Sequence, residues 1–198
     1  MLRSIRAAFT RFCARRAAAA QRTAPRTAIT WLKLGCTFAP SFVDTYPALV
    51  HLSRALDDRW GALEAAREAT LRFPDHADAW MLLGEALQMV FRQDDALAAF
   101  EQALALEERA DAAMAAGTLY HRMGRFPEAA ARFARAHAAG GGASALFHNA
   151  QALYDAGDHR AAEEALNLWA TQVPDGHSRL PAARAELQAK AATRPQVQ

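Results

Sequence analysis

The 198 residues are 52% apolar with only 8 prolines and 10 glycines, so one domain with a sizeable core, or a small domain with tails, is expected. The composition is rich in Ala, Leu, Glu and Arg with few β-branched runs, which favours an all-α fold; two cysteines, Cys13 and Cys36, match no disulfide framework, metal spacing or haem-attachment pattern. The formal charge of +2 conceals a split: eight basic residues precede the first acid, Asp44, leaving 15 basic against 21 acidic, or −6, from there on. A basic arm on an acidic body points to two separate tasks.

The arm spans residues 1–27. Leu2, Ile5, Phe9, Phe12 and Cys13 recur at helical spacing, and the arginines occupy most of the remaining surface. Arg3, Arg6, Phe9, Arg11, Phe12, Arg15 and Arg16 are therefore the candidate docking residues for a membrane surface or an acidic partner. An Arg-rich, acid-free amphipathic helix also suits an organellar transit peptide, or a basic leader that docks nowhere. Nucleic acid is not expected, because no groove-reading motif or aromatic interleaving accompanies the arginines.

Residues 28–42 form an apolar lead-in helix, bracketed by Pro25 and Pro40, with Trp31, Leu32, Leu34 and Phe38. It covers the open edge of the following helices, or acts as an interfacial anchor with the arm, since a Trp beside Lys33 suits the headgroup boundary. Leu34-Gly35-Cys36 hints at a lipoprotein cleavage site, but Lys33 occupies the place of the required aliphatic residue. No run reaches the roughly 18–20 apolar residues of a membrane-spanning helix. The expected location is cytoplasmic, with peripheral membrane contact or organellar import through the arm as the options.

From residue 43 the chain repeats. A small residue opens each second helix at Ala62, Ala96, Ala129 and Ala162, which are 34, 33 and 33 residues apart. Four places later stand Ala66, Phe100, Phe133 and Leu166; three further on stand Ala69, Ala103, Ala136 and Trp169. The matching close-approach positions of the first helices hold Val50, Gly84, Gly117 and Ala150. Antiparallel helices pack at short range only where one presents Gly or Ala and a large side chain fills the space beyond. Turn signals fall at Asp57-Asp58, Gly124-Arg125-Phe126-Pro127 and Gly157-Asp158, and Pro74 and Pro174 stop helices. Trp80, Leu83, Gly84, Leu87, Ala96 and Phe100 follow a W-x2-L-G-x2-Y…A-x3-F pattern on a period of about 34. Over residues 43–175 the chain resembles the tetratricopeptide repeat family, with units at 43–76, 77–109, 110–142 and 143–175.

Several positions depart from the pattern. Phe91 replaces the usual turn glycine, Glu108 stands where a proline is expected, and Gly140-Gly141-Gly142 ends the third unit in place of a proline stop. Tyr46 takes the Trp place of the first unit, whose Val50 should hold its helices further apart. Residues 176–198 are read as a cap and tail, with a short polar helix from Pro181 to Lys190.

The resemblance implies a right-handed solenoid of about four helix–turn–helix units whose first helices line a concave, partner-binding groove. Its positions select His51 and Arg54 in the first unit and Met81, Leu82, Glu85, Gln88 and Met89 in the second. In the third they select Met114, Thr118, His121 and Arg122, and in the fourth Phe147, His148, Gln151, Tyr154 and Asp155. Adaptable methionines among hydrogen-bonding neighbours suit a partner helix or extended peptide with apolar anchors. The Lys/Asn/Arg clamp by which some members hold chaperone C-termini does not carry over, since Pro47, His51, Leu82, Asp111 and Ala115 occupy those places.

No chemistry competes with binding. The seven histidines show no i,i+3 or i,i+4 pairing with His or Cys, the glycine run lacks a following Lys and a preceding strand, and no serine sits in G-x-S-x-G. The sequence therefore reads as a non-enzymatic adaptor or assembly factor with no metal, cofactor or small-molecule substrate. The alternative is a chaperone for secreted or membrane-complex subunits; an enzyme would require activity from a partner.

Overall fold

The structure, a computed structural model, describes residues 2–38 and 42–192, and everything described is helix or turn. Pro40 and the tail from residue 193 lie outside the described residues, as do the side chains of Arg3, Phe38 and Lys190. The chain divides between Leu106 and Glu107 into two compact units.

The first unit holds α1 (Leu2–Ala20), α2 (Pro25–Phe38), α3 (Phe42–Ala55), α4 (Arg59–Arg72), α5 (Ala77–Met89) and α6 (Gln93–Leu106). The arm docks: α1 packs along α2 with Thr10, Cys13 and Ala17 buried. Gly35 makes this approach close, for a Cβ there would lie 3.3 Å from Cys13 Cβ. On its other side α2 meets α3, burying Ala28, Leu32 and Cys36 near Tyr46 and Leu49. Burial pushes the Cys36 thiol and the Tyr46 hydroxyl well above their ordinary pKa ranges. Trp80 donates from Nε1 to the Pro74 carbonyl at 2.7 Å, tying α5 to the stop that precedes it.

The second unit holds α7 (Ala110–Arg122), α8 (Phe126–Ala136), α9 (Gly142–Asp155), α10 (His159–Gln172) and α11 (Gly176–Ala192). A single wide turn, His137–Gly141, leads from α8 into α9. Gly140 at φ 93° and Gly142 at φ 61°, ψ −156° adopt conformations that glycine alone takes without strain. Glu108, at the expected proline position, accepts from Arg135 of α8, whose Nε lies 2.9 and 2.8 Å from its two carboxylate oxygens. The last helix begins five residues before Pro181, because Gly176 lets its backbone press against Ala170. Its Ala183 and Leu187 join a buried cluster with Leu146, Ala150, Leu166 and Trp169.

The helix pairs close on the residues marked by the repeat. A Cβ on Gly84 would lie 2.4 Å from the Phe100 ring, and one on Gly117 2.8 Å from Phe133; both rings are buried. The turns repeat as closely. Asp57, Phe91, Gly124 and Gly157 all have positive φ, at 57°, 61°, 75° and 84°. Each stands two residues before the next helix begins, and the residue between leads into it; Asp58 and Asp158 cap theirs by accepting the Gly61 and Ala161 N–H groups at 2.9 and 3.0 Å.

Two kinds of substitution probe this geometry. Gly84→Ala gains about 1 kcal/mol of helix propensity but forces a methyl into the Phe100 ring, a clash costing roughly 1–3 kcal/mol. Its melting temperature should fall by several degrees, and that of Gly117→Ala by less. Phe91→Gly removes the left-handed penalty of about 1–2 kcal/mol and should raise the melting temperature. A fall would show that the Phe91 ring stabilises its turn.

Candidate functional site

The candidate positions lie on the first helix of each pair, α3, α5, α7 and α9, and the structure sorts them by exposure. In the first unit His51 and Arg54 are exposed and Glu85, Gln88 and Met89 are half-buried. Arg54 lies 3.1 Å from His51 Nδ1 and 3.8 Å from Glu85, so these three side chains form one polar group across α3 and α5. Met81 and Leu82 are 8% and 6% exposed and belong to the core. Of the three apolar candidates on α5, Met89 alone keeps part of its surface accessible.

In the second unit Met114, Phe147, His148 and Gln151 are half-buried, while Thr118 and Arg122 are exposed. The Thr118 hydroxyl donates to the Met114 carbonyl one turn back, at 2.8 Å. His121 Nε2 lies 2.7 Å from Asp155 Oδ2, and the Asp155 side chain is only 2% exposed. This pair joins α7 to α9 edge-on to the Phe126 ring, at 5.3 Å. His148 stacks on Phe133, the ring that fills the Gly117 approach, at 5.3 Å. Tyr154 is buried, and its hydroxyl donates to Glu163 of α10.

Glu163 also accepts from Arg184 of α11, at 2.8 and 2.9 Å from Nε. The Arg184 hydrogen bonds hold the Glu163 carboxyl below the usual carboxylate range, and burial raises the Tyr154 hydroxyl above its own. The network ties three successive helices together.

Two exposed features were not selected from the sequence. A cleft of about 410 Å³ is lined by Ser144, Phe147, Trp169, Arg179, Ala182, Ala183 and Glu186. Phe147 and Trp169 meet at 5.7 Å, and the Arg179 guanidinium lies 5.9 Å from the Trp169 ring. The projection covered only the first helices of the repeats, and Arg179 and Glu186 stand on the last helix. In the first unit Trp60 and Phe91 are 67% and 74% exposed, with Arg59 over the Phe91 ring at 5.9 Å.

The candidate docking residues sit on α1. Arg6, Arg11, Arg15 and Arg16 are exposed, Phe9 is half-buried and Phe12 is 48% exposed. Phe12 meets Trp31 of α2 edge-on at 5.9 Å, and the Arg16 guanidinium lies over both rings, at 5.8 and 5.6 Å. Arg3 lies on the same helix, its side chain outside the described set. Among the described residues no helix is long and apolar enough to cross a membrane, and no group of three His, Cys, Asp or Glu side chains could hold a metal ion.

Solved structures place this arrangement. PilF of Pseudomonas aeruginosa superposes at a TM-score of 0.69, with 20% identity over 95% of this chain and 89% of that one. TTC0263, described as a thermophilic TPR protein in Thermus thermophilus, gives 0.60 with 18% identity over 89% of this chain and 99% of that one. YrrB, described as a TPR protein with an unusual peptide-binding site, gives 0.63 with 18% identity over 81% and 84%. The fold is that of a tetratricopeptide-repeat protein. No protein-family model and no curated protein matches the sequence. At these identities the likeness to the TPR structures is one of fold.

The Glu163 network makes a pH prediction. A carboxyl whose pKa is lowered by folding stabilises the native state above its unfolded pKa, and that contribution is lost as pH falls through the depressed value. Glu163→Gln should therefore be less stable than the parent at neutral pH. The difference should shrink in acid, below the ordinary carboxylate range, as followed by chemical denaturation across pH. A difference independent of pH would assign Glu163 a packing role alone.

Proposed function

We propose that this TPR protein is a non-catalytic adaptor or assembly factor that binds a segment of another protein on the first-helix faces of its repeats. The observation that carries the reading is half-exposure within each unit, of Met89 beside Gln88 and Glu85 on α5 in the first, and of Met114 on α7 and Phe147 with Gln151 on α9 in the second, on helices whose opposite faces form the core. Adaptable apolar anchors flanked by amide and carboxylate groups can seat alternate side chains of a peptide and satisfy its backbone. The peptide-binding site ascribed to the similarly folded YrrB is in keeping with this use. The basic hairpin α1–α2 provides a second contact surface, one for an anionic partner, and so puts the protein at the periphery of that partner.

Met89→Glu and Phe147→Glu test these faces at half-buried positions, Phe147 at the edge of the Trp169 cluster, whereas Met81→Glu would place a charge in the core. Each should weaken capture of the partner by roughly tenfold or more, since a charge replaces an apolar anchor of about 1.5–3 kcal/mol. Binding is read by titration calorimetry against the partner recovered from source-cell extract, with the helical circular dichroism signal unchanged. Full affinity in both variants would remove the groove from the site.

A further inference from the structure

The docking half of that proposal can be sharpened. Seven described cations, from Arg6 to Lys33, lie on or between α1 and α2, and none is within 4 Å of a carboxylate among the described residues. In the same unit four of the five arginines between residues 44 and 106 are paired: Arg54, Arg59, Arg72 and Arg92. Among the described residues the unpaired positive charge of this unit is thus concentrated on one helical hairpin. That hairpin also carries apolar groups in water. Ile5 is 59% exposed; Phe12 is 48% exposed, beside Trp31 and under the Arg16 guanidinium.

We propose that the folded α1–α2 hairpin docks on an anionic phospholipid bilayer, with Ile5 and Phe12 entering the headgroup boundary and the arginines meeting lipid phosphates. The inference rests on the docking reading above and commits it to a lipid occupant. The cations are spread along both helices instead of gathered at one spot. A fluid bilayer can bring a phosphate to each of them, and each basic side chain near an anionic surface adds to the attraction. A folded protein would need carboxylates at matching positions and a recess for two separate apolar groups. An aromatic ring stacked under Arg suits the interfacial layer, where an apolar body and a charged head are both satisfied.

Folding of α1 onto α2 sets the character of the binding. Thr10, Cys13 and Ala17 are spent on the hairpin's own core, so Ile5 and Phe12 remain as the apolar contribution. Insertion is then shallow and the charges dominate. A free amphipathic helix would bury Phe9 and Cys13 in lipid as well, and would bind neutral membranes.

The test is co-sedimentation of the full chain with vesicles of phosphatidylcholine alone and of phosphatidylcholine with phosphatidylserine, at low and high salt. The expected result is binding to the anionic vesicles alone, weakened roughly tenfold or more by high salt because exposed charges are screened. The pair Ile5→Ser/Phe12→Ser and the pair Arg15→Gln/Arg16→Gln should each weaken it, with circular dichroism confirming the fold. Met89→Glu should leave it unchanged, separating it from the groove. Absence of binding to anionic vesicles, equal binding to neutral ones, or indifference to both pairs would overturn the proposal. Should the chain ignore vesicles yet hold a protein partner in a manner abolished by Arg15→Gln/Arg16→Gln, the lipid assignment falls while the docking reading stands.

Discussion

The structure depends on how closely the two helices of a repeat can approach. At Gly84 and Gly117 the backbone of a first helix is bare, and the Phe100 and Phe133 rings of the second lie where a Cβ would be. That contact sets the rotation of each helix about its own axis, and so decides which side chains face inward. The same volume can be divided differently. Val50 with Ala66, and Ala150 with Leu166, occupy these positions in the outer units, and all four are buried. What recurs is the summed size of the pair, as expected of an interior packed as densely as a crystal.

The turns carry the second constraint. Each helix pair is joined through one residue of positive φ set two residues before the next helix, and the pattern is kept when the residue type is not. Glycine accepts this backbone freely and Asp57 tolerates it, whereas Phe91 holds it at a cost. The cost leaves an exposed ring against Arg59, at the one turn position of the four where an aromatic stands.

Surface follows from these constraints. Because the helices are rotated by their close contacts, Met81 and Leu82 turn inward while Met89 stays accessible. The polar candidates divide likewise: Arg54 and Glu85 pair in the first unit, and His121 and Asp155 pair in the second. Part of the projected surface thus serves to hold neighbouring repeats together, and the accessible remainder is smaller, with Met89, Met114 and Phe147 as its apolar groups. On the hairpin the division runs the other way, since α1 spends its Cys13 face on α2 and leaves its arginines and Phe12 outside.

The all-α fold, the period of 33 to 34 residues, the turns and the close-approach glycines were legible in the sequence. They arise from interactions within a few residues, which write themselves as periodicity and as turn chemistry. The cleft lined by Arg179 and Trp169, the early start of α11 at Gly176, the burial of Met81 and Tyr154, and the docking of α1 were not. Each depends on residues that meet across different helices, such as Cys13 with Gly35, His121 with Asp155, or Glu163 with Arg184. Spacing along the chain carries no signature of such meetings, because they are fixed by helix rotation and crossing. Periodicity was enough to establish a chain of helical repeats. Which of their side chains are left to meet a partner emerges only when the helices pack, since burial is settled by the neighbouring helix and not by the residue's own turn.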